Sequence, residues 1–419
     1  MLRSAFLVLL LLCSASALRA GEIRLWHSMS GVRGAEFDHL VTRFNAAQRQ
    51  HRIVAVYKGA YDEAAVEAVT ARGSRNFALR APHIVQASEL GGAFLLEQKD
   101  AMRPLWRMPG TAGVRLERAF GGADELLDAE GRLLALPLGR ATPVLYYNRD
   151  AFRIAMLDPA RPPATWYEMV PTLAALVASG SDCALTFAWP ESTLLENMAA
   201  WHNQAFAGPD ARLMFNTRLA VRWVSTLASW QKAGYFTSMR DAEARFAAGD
   251  CAVLAASSAS YADLRSRVKF ELGVAQFPYY DDFDSAPLNT LGAGSALWVM
   301  AGRPDADYAG VARFLAWFAR PEVQAEWHQK TGLVPLSAAA YELTRKTGFY
   351  KAHPGHEIAV RQLLTRGTPN WKSLRLAQFP HLRSIIDQEL ESVWQGRKAP
   401  VEALNAAVER GNAFLERSR

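Results

Sequence analysis

Residues 23–57 read IRLWHSMSGVRGAEFDHLVTRFNAAQRQHRIVAVY, and this stretch decides the fold class. It opens with a short apolar run and a polar turn. Apolar residues then recur at spacings of three and four from Phe37 to Phe44, which is typical of an amphipathic helix. A second apolar run, rich in β-branched residues, follows at 53–57. This order of strand, loop, helix and strand predicts an α/β domain with a mostly parallel sheet.

The same alternation continues along the chain. Further strand-like runs are predicted at 83–86, 133–138, 144–147, 184–189, 251–256, 272–277 and 296–300. Thr165 and Glu168 have the spacing of a capping box, which predicts the start of a helix. From Asp305 onward the pattern is mostly helical, and Gly332 is expected to end one long helical region.

The composition is that of a globular protein with more than one domain. Of 419 residues, 50% are hydrophobic and 21% are charged, which excludes a disordered chain. At about 150 residues per domain, this length suggests two or three domains. The net charge of +6 is too dilute for a nucleic-acid-binding surface, so we expect no nucleic-acid partner. Three cysteines are too few for a disulfide scaffold or a cysteine-rich zinc module.

The first twenty residues have the pattern of a cleaved secretory signal. Arg3 precedes an apolar run at 5–13, which is too short to span a bilayer of about 30 Å. Small residues then allow cleavage after Ala17 or after Ala20, and lipid modification of Cys13 is the less favoured alternative. We therefore predict that the protein is exported.

Two cysteines remain after cleavage, Cys183 and Cys251. A bond between them would close a loop of about 70 residues, for which chain entropy predicts a stabilisation of about 4 kcal/mol. Each cysteine also begins an apolar run, so two buried free thiols are equally compatible with the sequence.

Familiar catalytic motifs are missing. His356-Glu357 begins like a zinc-protease HExxH, but Val360 occupies the second ligand position. The stretch 292–295 (GAGS) fits neither a dinucleotide loop, a P-loop nor a nucleophile elbow. We therefore expect no catalysis, no metal and no cofactor. Twelve tryptophans instead suit capture of a small polar ligand in a cleft, where aromatic faces cover its carbon atoms.

Several longer stretches resemble one family of exported proteins. They are LWHSM at 25–29, FNAA at 44–47, YKGAY at 57–61, TPVLYYN at 142–148, GDCA at 249–252, WHQKTG at 327–332 and VERGN at 408–412. In these the chain resembles periplasmic sn-glycerol-3-phosphate-binding proteins of ABC importers, within the extracellular solute-binding family that also contains maltose-binding proteins. The resemblance covers residues 21–419.

The resemblance implies an α/β fold of two lobes, each a discontinuous domain, which a hinge joins and which close over ligand like a jaw. The implied segments are a signal peptide at 1–20, one lobe from 21–141 and 288–335, and the other lobe from 142–287 and 336–419. The chain is expected to cross the hinge first near Thr142.

The resemblance also implies a set of ligand contacts, namely Tyr61, Glu89, Ser260, Gly294 and Arg383. Ser260 precedes a predicted helix, whose free amides favour an anion. Arg383 can donate charge-assisted bonds to a phosphate, and Arg375 is a rival for that role. Glu89 can accept from ligand hydroxyls, Tyr61 can donate to oxygen while covering carbon, and Gly294 lets backbone approach the ligand.

Three positions depart from the pattern of that family. Ala141 replaces a serine that helps to hold phosphate, Ser192 replaces a tryptophan that packs on glycerol, and Leu333 replaces a tyrosine. Arg140 and Trp189 are the candidate substitutes for the lost polar contact and the lost aromatic wall. Without such substitutes the cavity is wider and more apolar, and admits a larger head group.

The implied function is that of a monomeric periplasmic protein in an ABC importer. It would capture a small phosphorylated polyol, either sn-glycerol-3-phosphate or a glycerophosphodiester such as glycerophosphocholine, and deliver it to permease subunits in the inner membrane. A sugar- or oligosaccharide-binding protein on the same fold is the alternative, because a fold alone does not determine its ligand. An exported phosphodiester hydrolase is disfavoured by the missing metal ligands.

Overall fold

A computed structural model describes residues 21–59, 61–71, 81–98, 100–110, 126–189, 191–208, 210–284, 286–364 and 379–417. The predicted signal peptide and Arg375 lie outside these residues. No helix among them is both long and apolar enough to cross a membrane.

The strands are β1 Gly21–His27, β2 His51–Tyr57, β3 Ile84–Ser88, β4 Leu136–Ala141, β5 Pro143–Asn148, β6 Cys183–Phe187, β7 Phe236–Thr237, β8 Cys251–Ser257, β9 Leu272–Gln276 and β10 Ala293–Val299. The helices are α1 Gly31–Ala47, α2 Tyr61–Ala71, α3 Glu89–Glu97, α4 Arg149–Ile154, α5 Trp166–Ala178, α6 Glu191–Trp201, α7 Arg218–Lys232, α8 Ala242–Ala248, α9 Tyr261–Arg267, α10 Asp305–Phe318, α11 Pro321–Thr331, α12 Ala338–Lys346, α13 Phe349–Ala352, α14 Pro354–Leu364, α15 Phe379–Trp394 and α16 Pro400–Arg417. Short 3-10 turns occupy Leu105–Arg107 and Ser258–Ser260.

The described strands form two five-stranded sheets. The first has the order β2-β1-β3-β10-β4 and the second has the order β7-β6-β8-β5-β9. In each sheet four strands run in the same direction and one runs opposite to them, so the prediction of a mostly parallel sheet is confirmed. The antiparallel pairs all involve β10 or β5. Along the chain, β5 follows a strand of the first sheet and β10 follows a strand of the second sheet. Neither is therefore reached through a βαβ crossover, which would have made it parallel to its neighbours.

Thr142 lies between β4 of the first sheet and β5 of the second, and it is fully buried. Its carbonyl accepts a hydrogen bond from the backbone amide of Ser258 at 2.8 Å. Its hydroxyl donates to the Thr290 hydroxyl at 2.6 Å. Thr142 therefore links the segments that contain Ser258 and Thr290 at the point where the chain passes from one sheet to the other. The lobe boundaries after 141, 287 and 335 stay predictions.

Aromatic side chains fill the cores on both sides. The predicted helix face from Phe37 to Phe44 is buried in the first half, where Phe37 packs against Trp327. In the second half, Trp166 packs against Trp223. The predicted capping box is confirmed, because Thr165 Oγ1 accepts from the Glu168 amide while the Glu168 carboxylate accepts from the Thr165 amide.

Cys183 and Cys251 form a disulfide. They are register partners on the parallel strands β6 and β8, with Cα atoms 4.5 Å apart. The sequence left a bond and two free thiols as alternatives, and the structure has the bond.

Candidate ligand-binding site

A cavity of about 240 Å³ lies between the two sheets. On the first side its walls include Ser88, Gly139, Ala141, Gly294 and Ser295. On the second side they include Trp189, Ser257, Ala259 and Arg383. Ser88, Ala141 and Ser257 each end a strand, at the carboxyl edge where open α/β sheets commonly bind ligands.

Gln86 fixes the positions of two neighbouring groups on the first side of the cavity. It is almost completely buried in β3, where its side-chain carbonyl accepts from the Ser28 amide at 2.9 Å. Its side-chain amide donates to the Ser295 hydroxyl at 2.6 Å. A buried amide held at both ends keeps one orientation, so the Ser295 hydroxyl at the cavity wall is fixed as well.

Arg383 projects from α15 and is paired with Glu196 on α6. Its Nε donates to one carboxylate oxygen at 2.8 Å and its Nη2 to the other at 2.7 Å. The Glu196 side chain is only 3% exposed. A carboxylate so buried needs such a partner, and the two parallel bonds fix the plane of the guanidinium that lines the cavity.

Ser260 is not among the residues that line the cavity. Its hydroxyl donates to Glu243 Oε1 at 2.5 Å, and the residue immediately precedes α9. Ser257 and Ala259, three and one positions earlier along the chain, do line the cavity. The resemblance pointed to this segment, but it did not show which of its residues lines the cavity.

Gly294 lines the cavity from β10. A Cβ atom there would overlap the carbonyl oxygen of Gly139 on the neighbouring strand β4. Glycine is therefore required by the close approach of these two strands, a reason that is separate from the ligand contact implied by resemblance.

The positions that depart from the family pattern make part of the cavity apolar. Ala141 and Leu333 both line it, and Leu333 packs so closely on Gly139 that a side chain at that glycine would not fit. Trp189 also lines the cavity, where it presents an aromatic surface. The side chain of Ser192 lies outside the described part of the chain.

Arg140 is buried in β4 but is not among the cavity-lining residues. Its Nη2 donates to the carbonyl of Gly292. Leu138, Gly139 and Ala141 of the same strand do line the cavity. The hypothesis that Arg140 substitutes for the lost serine receives no support from this geometry.

Tyr61 and Glu89 are the first residues of α2 and α3. Their side chains lie outside the described part of the structure, so their ligand contacts stay predictions. The same holds for Arg375 as a rival of Arg383.

Arg33 lines the cavity and was missed by the sequence reasoning. It lies in the first turn of α1, directly after the turn that follows β1. An arginine at a helix start is usually a surface residue, so composition and spacing carry no signal for it. Only the position of the turn at the end of a strand could have marked it as a candidate.

A hydrogen bond joins the two sides beside the cavity. The backbone amide of Val32, at the start of α1, donates to Asp263 Oδ1 on α9 at 3.2 Å. The Ser30 side chain does not cap α1, so Asp263 satisfies one of the amides that a helix start leaves open.

These groups suit a small ligand that carries an anionic group. Arg33 and Arg383 supply guanidinium donors, Ser257 and Ser295 supply hydroxyls, and Trp189 and Leu333 cover carbon. Among the residues that the structure describes, no cluster of three His, Cys, Asp or Glu side chains could hold a metal ion.

Two α/β halves with a ligand-sized cavity between them define a two-lobed solute-binding protein. The chain belongs to the family of bacterial extracellular solute-binding proteins, which it matches over residues 39–358. It is 40% identical over 429 aligned positions to the sn-glycerol-3-phosphate-binding periplasmic protein UgpB of Yersinia pseudotuberculosis, covering 99% of this chain and 97% of that protein. It is 42% identical over 426 positions to UgpB of Salmonella typhimurium, covering 98% and 96% respectively.

Solved structures confirm the two-lobed fold. UgpB from Mycobacterium tuberculosis, in complex with glycerophosphocholine, matches with a TM-score of 0.79 at 22% identity, over 95% of this chain and 99% of that one. The cyclic α-maltosyl-1,6-maltose-binding protein of Arthrobacter globiformis matches with a TM-score of 0.76 at 21% identity, over 95% and 100%. These likenesses concern the fold alone.

Proposed function

We propose that this protein is the periplasmic substrate-binding component of an ABC importer, and that it captures sn-glycerol-3-phosphate or a glycerophosphodiester between its lobes. The observation that carries the proposal is the Arg383 guanidinium, which Glu196 holds at the wall of the interlobe cavity. The names of the relatives at 40–42% identity support the same ligand class.

The mechanism is a shift between open and closed lobes. A phosphate held by Arg383 on one side, while its polyol contacts the other side, binds the closed arrangement better than the open one. The closed protein then docks on permease subunits in the inner membrane and releases the ligand chemically unchanged. Micromolar affinity, about 8 kcal/mol, is sufficient for such capture.

The proposed contacts are Tyr61, Glu89, Ser260, Gly294 and Arg383. Because the Ser260 hydroxyl is bonded to Glu243, its contribution comes through the backbone around the start of α9 or through exchange of that bond. Trp189 takes the place of the missing aromatic wall.

The remaining parts of the proposal follow from export. Removal of residues 1–20 releases a monomer into the periplasm. One lobe comprises 21–141 with 288–335, and the other comprises 142–287 with 336–419.

Calorimetric titration of the purified protein with sn-glycerol-3-phosphate, glycerophosphocholine and maltose tests the proposal. Micromolar binding of at least one phosphate compound, with no heat from maltose, is the expected result. A response to maltose alone would instead assign a sugar-binding protein, and turnover of glycerophosphocholine during incubation would contradict the proposal that the ligand is released unchanged.

A further inference from the structure

Arg33 differs from Arg383 in how its charge is balanced. Arg383 has the buried Glu196 carboxylate as its counter-ion. Arg33 lines the same cavity, and within the described residues it has no acidic partner at salt-bridge distance. Among the described residues that line the cavity, Arg33 is therefore the cation without a counter-ion.

The Arg33 side chain also has an unused donor. Its Nε is shielded from solvent and has no hydrogen-bond partner among the described residues. A buried donor without an acceptor is costly, because water bonds are lost and nothing replaces them. An oxygen of a bound anion would remove that cost.

Arg33 lies beside a contact with the other half of the molecule, because the backbone amide of its neighbour Val32 donates to Asp263 on α9. Burial raises the pKa of the Tyr146 phenol well above its ordinary value, and the charge of Glu243 raises it further, whereas the charge of Arg33 opposes this shift. Tyr146 lies on β5 and donates to the carbonyls of Ser257 and Ser258. The electrostatic effect of Arg33 therefore extends to the segment at Ser257 and Ser258, on the second side of the cavity.

We propose that Arg33 and Arg383 form a two-sided anion clamp, one arginine from each half, and that Arg33 makes the cavity select a phosphate monoester over a phosphodiester. This inference rests on the proposed function and narrows its ligand class.

The charges of the two ligand classes support this choice. A phosphate monoester carries between −1.5 and −2 near pH 7, by analogy with a phosphorylated side chain. A diester carries one negative charge, and in glycerophosphocholine it also carries a quaternary ammonium group. An arginine without a counter-ion favours the more negative phosphate and repels that cation.

The test compares Arg33→Gln, Arg33→Lys and the unaltered protein by calorimetric titration with sn-glycerol-3-phosphate and with glycerophosphocholine. Arg49→Gln is the matched control, because it removes the same charge from an exposed position just after α1. Thermal unfolding of each variant establishes that it is folded.

The unaltered protein is expected to prefer the monoester. Arg33→Gln should weaken monoester binding by tenfold or more, the size expected for a charge-assisted bond, while diester binding changes less than threefold. Arg33→Lys should retain the preference, and Arg49→Gln should change neither affinity. Equal effects of Arg33→Gln on both ligands, or no effect on either, would overturn the inference. If the unaltered protein binds neither phosphate compound, the proposed function itself is overturned.

Discussion

Asp263 accepts a hydrogen bond from the backbone amide of Val32 across the cleft, at 3.2 Å. A carboxylate at the positive end of α1 stabilises both the helix start and the contact between the two halves. Since this bond joins the two halves, it would favour the closed arrangement of the proposed mechanism without touching the ligand.

Asp263→Ala is therefore expected to weaken ligand binding by about fivefold, which corresponds to about 1 kcal/mol for a cap of this kind. Calorimetric titration with sn-glycerol-3-phosphate measures the change. Glu402→Ala is the matched control, because Glu402 lies in the first turn of α16 within a single lobe. An unchanged affinity in Asp263→Ala would show that the bond does not contribute to closure.

The Cys183–Cys251 disulfide should contribute strongly to stability. The two cysteines are 68 positions apart, and closing a loop of that length restricts the unfolded chain by about 4 kcal/mol. The double variant Cys183→Ser/Cys251→Ser is expected to lose about that much free energy of unfolding in urea. Ligand affinity should stay the same, because neither cysteine lines the cavity. A loss below about 1 kcal/mol would contradict the estimate.

Buried histidines predict a dependence of stability on pH. Burial lowers the pKa of His328 to about 4, and it lowers that of His356 to about 3, with a further contribution from the charge of His328. His328 is held neutral between the Leu333 carbonyl and the Tyr350 hydroxyl. Below the ordinary histidine pKa of about 6.5, the unfolded chain binds protons that the folded protein does not bind.

The free energy of unfolding should therefore fall as the pH decreases from about 6.5 to 4.5, by about 2 to 3 kcal/mol for His328 alone. Urea unfolding at both pH values measures this. His328→Gln should reduce the slope, whereas His39→Gln, at an exposed position, should leave it unchanged. A slope that His328→Gln does not alter would assign the effect to other groups.

Most strands and the main helix faces could be predicted from the sequence, because burial imposes local periods of two and 3.6 residues. Phe37 and Phe44, for example, are both buried on the same face of α1. The direction of the one reversed strand in each sheet could not be predicted in this way. The antiparallel placement of β5 and β10 depends on where the chain changes sheet, which is a property of the whole molecule.

The site was predicted less well, for a similar reason. Along β4 the cavity is lined by Leu138, Gly139 and Ala141, so alternation of side chains alone could not have told whether Arg140 lines it. Arg33 has no local signal, and its proximity to Arg383 arises from two segments 350 positions apart, at 33 and 383. Which residue near Ser260 faces the cavity depends on a single turn of 3-10 helix.

The most direct test of the central claim is the binding of sn-glycerol-3-phosphate with and without Arg383. Because Arg383→Ala alone would leave the buried Glu196 carboxylate unpaired, the comparison is between Glu196→Gln and the double variant Glu196→Gln/Arg383→Ala. The account predicts micromolar binding by the unaltered protein, and binding by the double variant about 100-fold weaker than by Glu196→Gln. Equal affinity in these two variants would contradict the account.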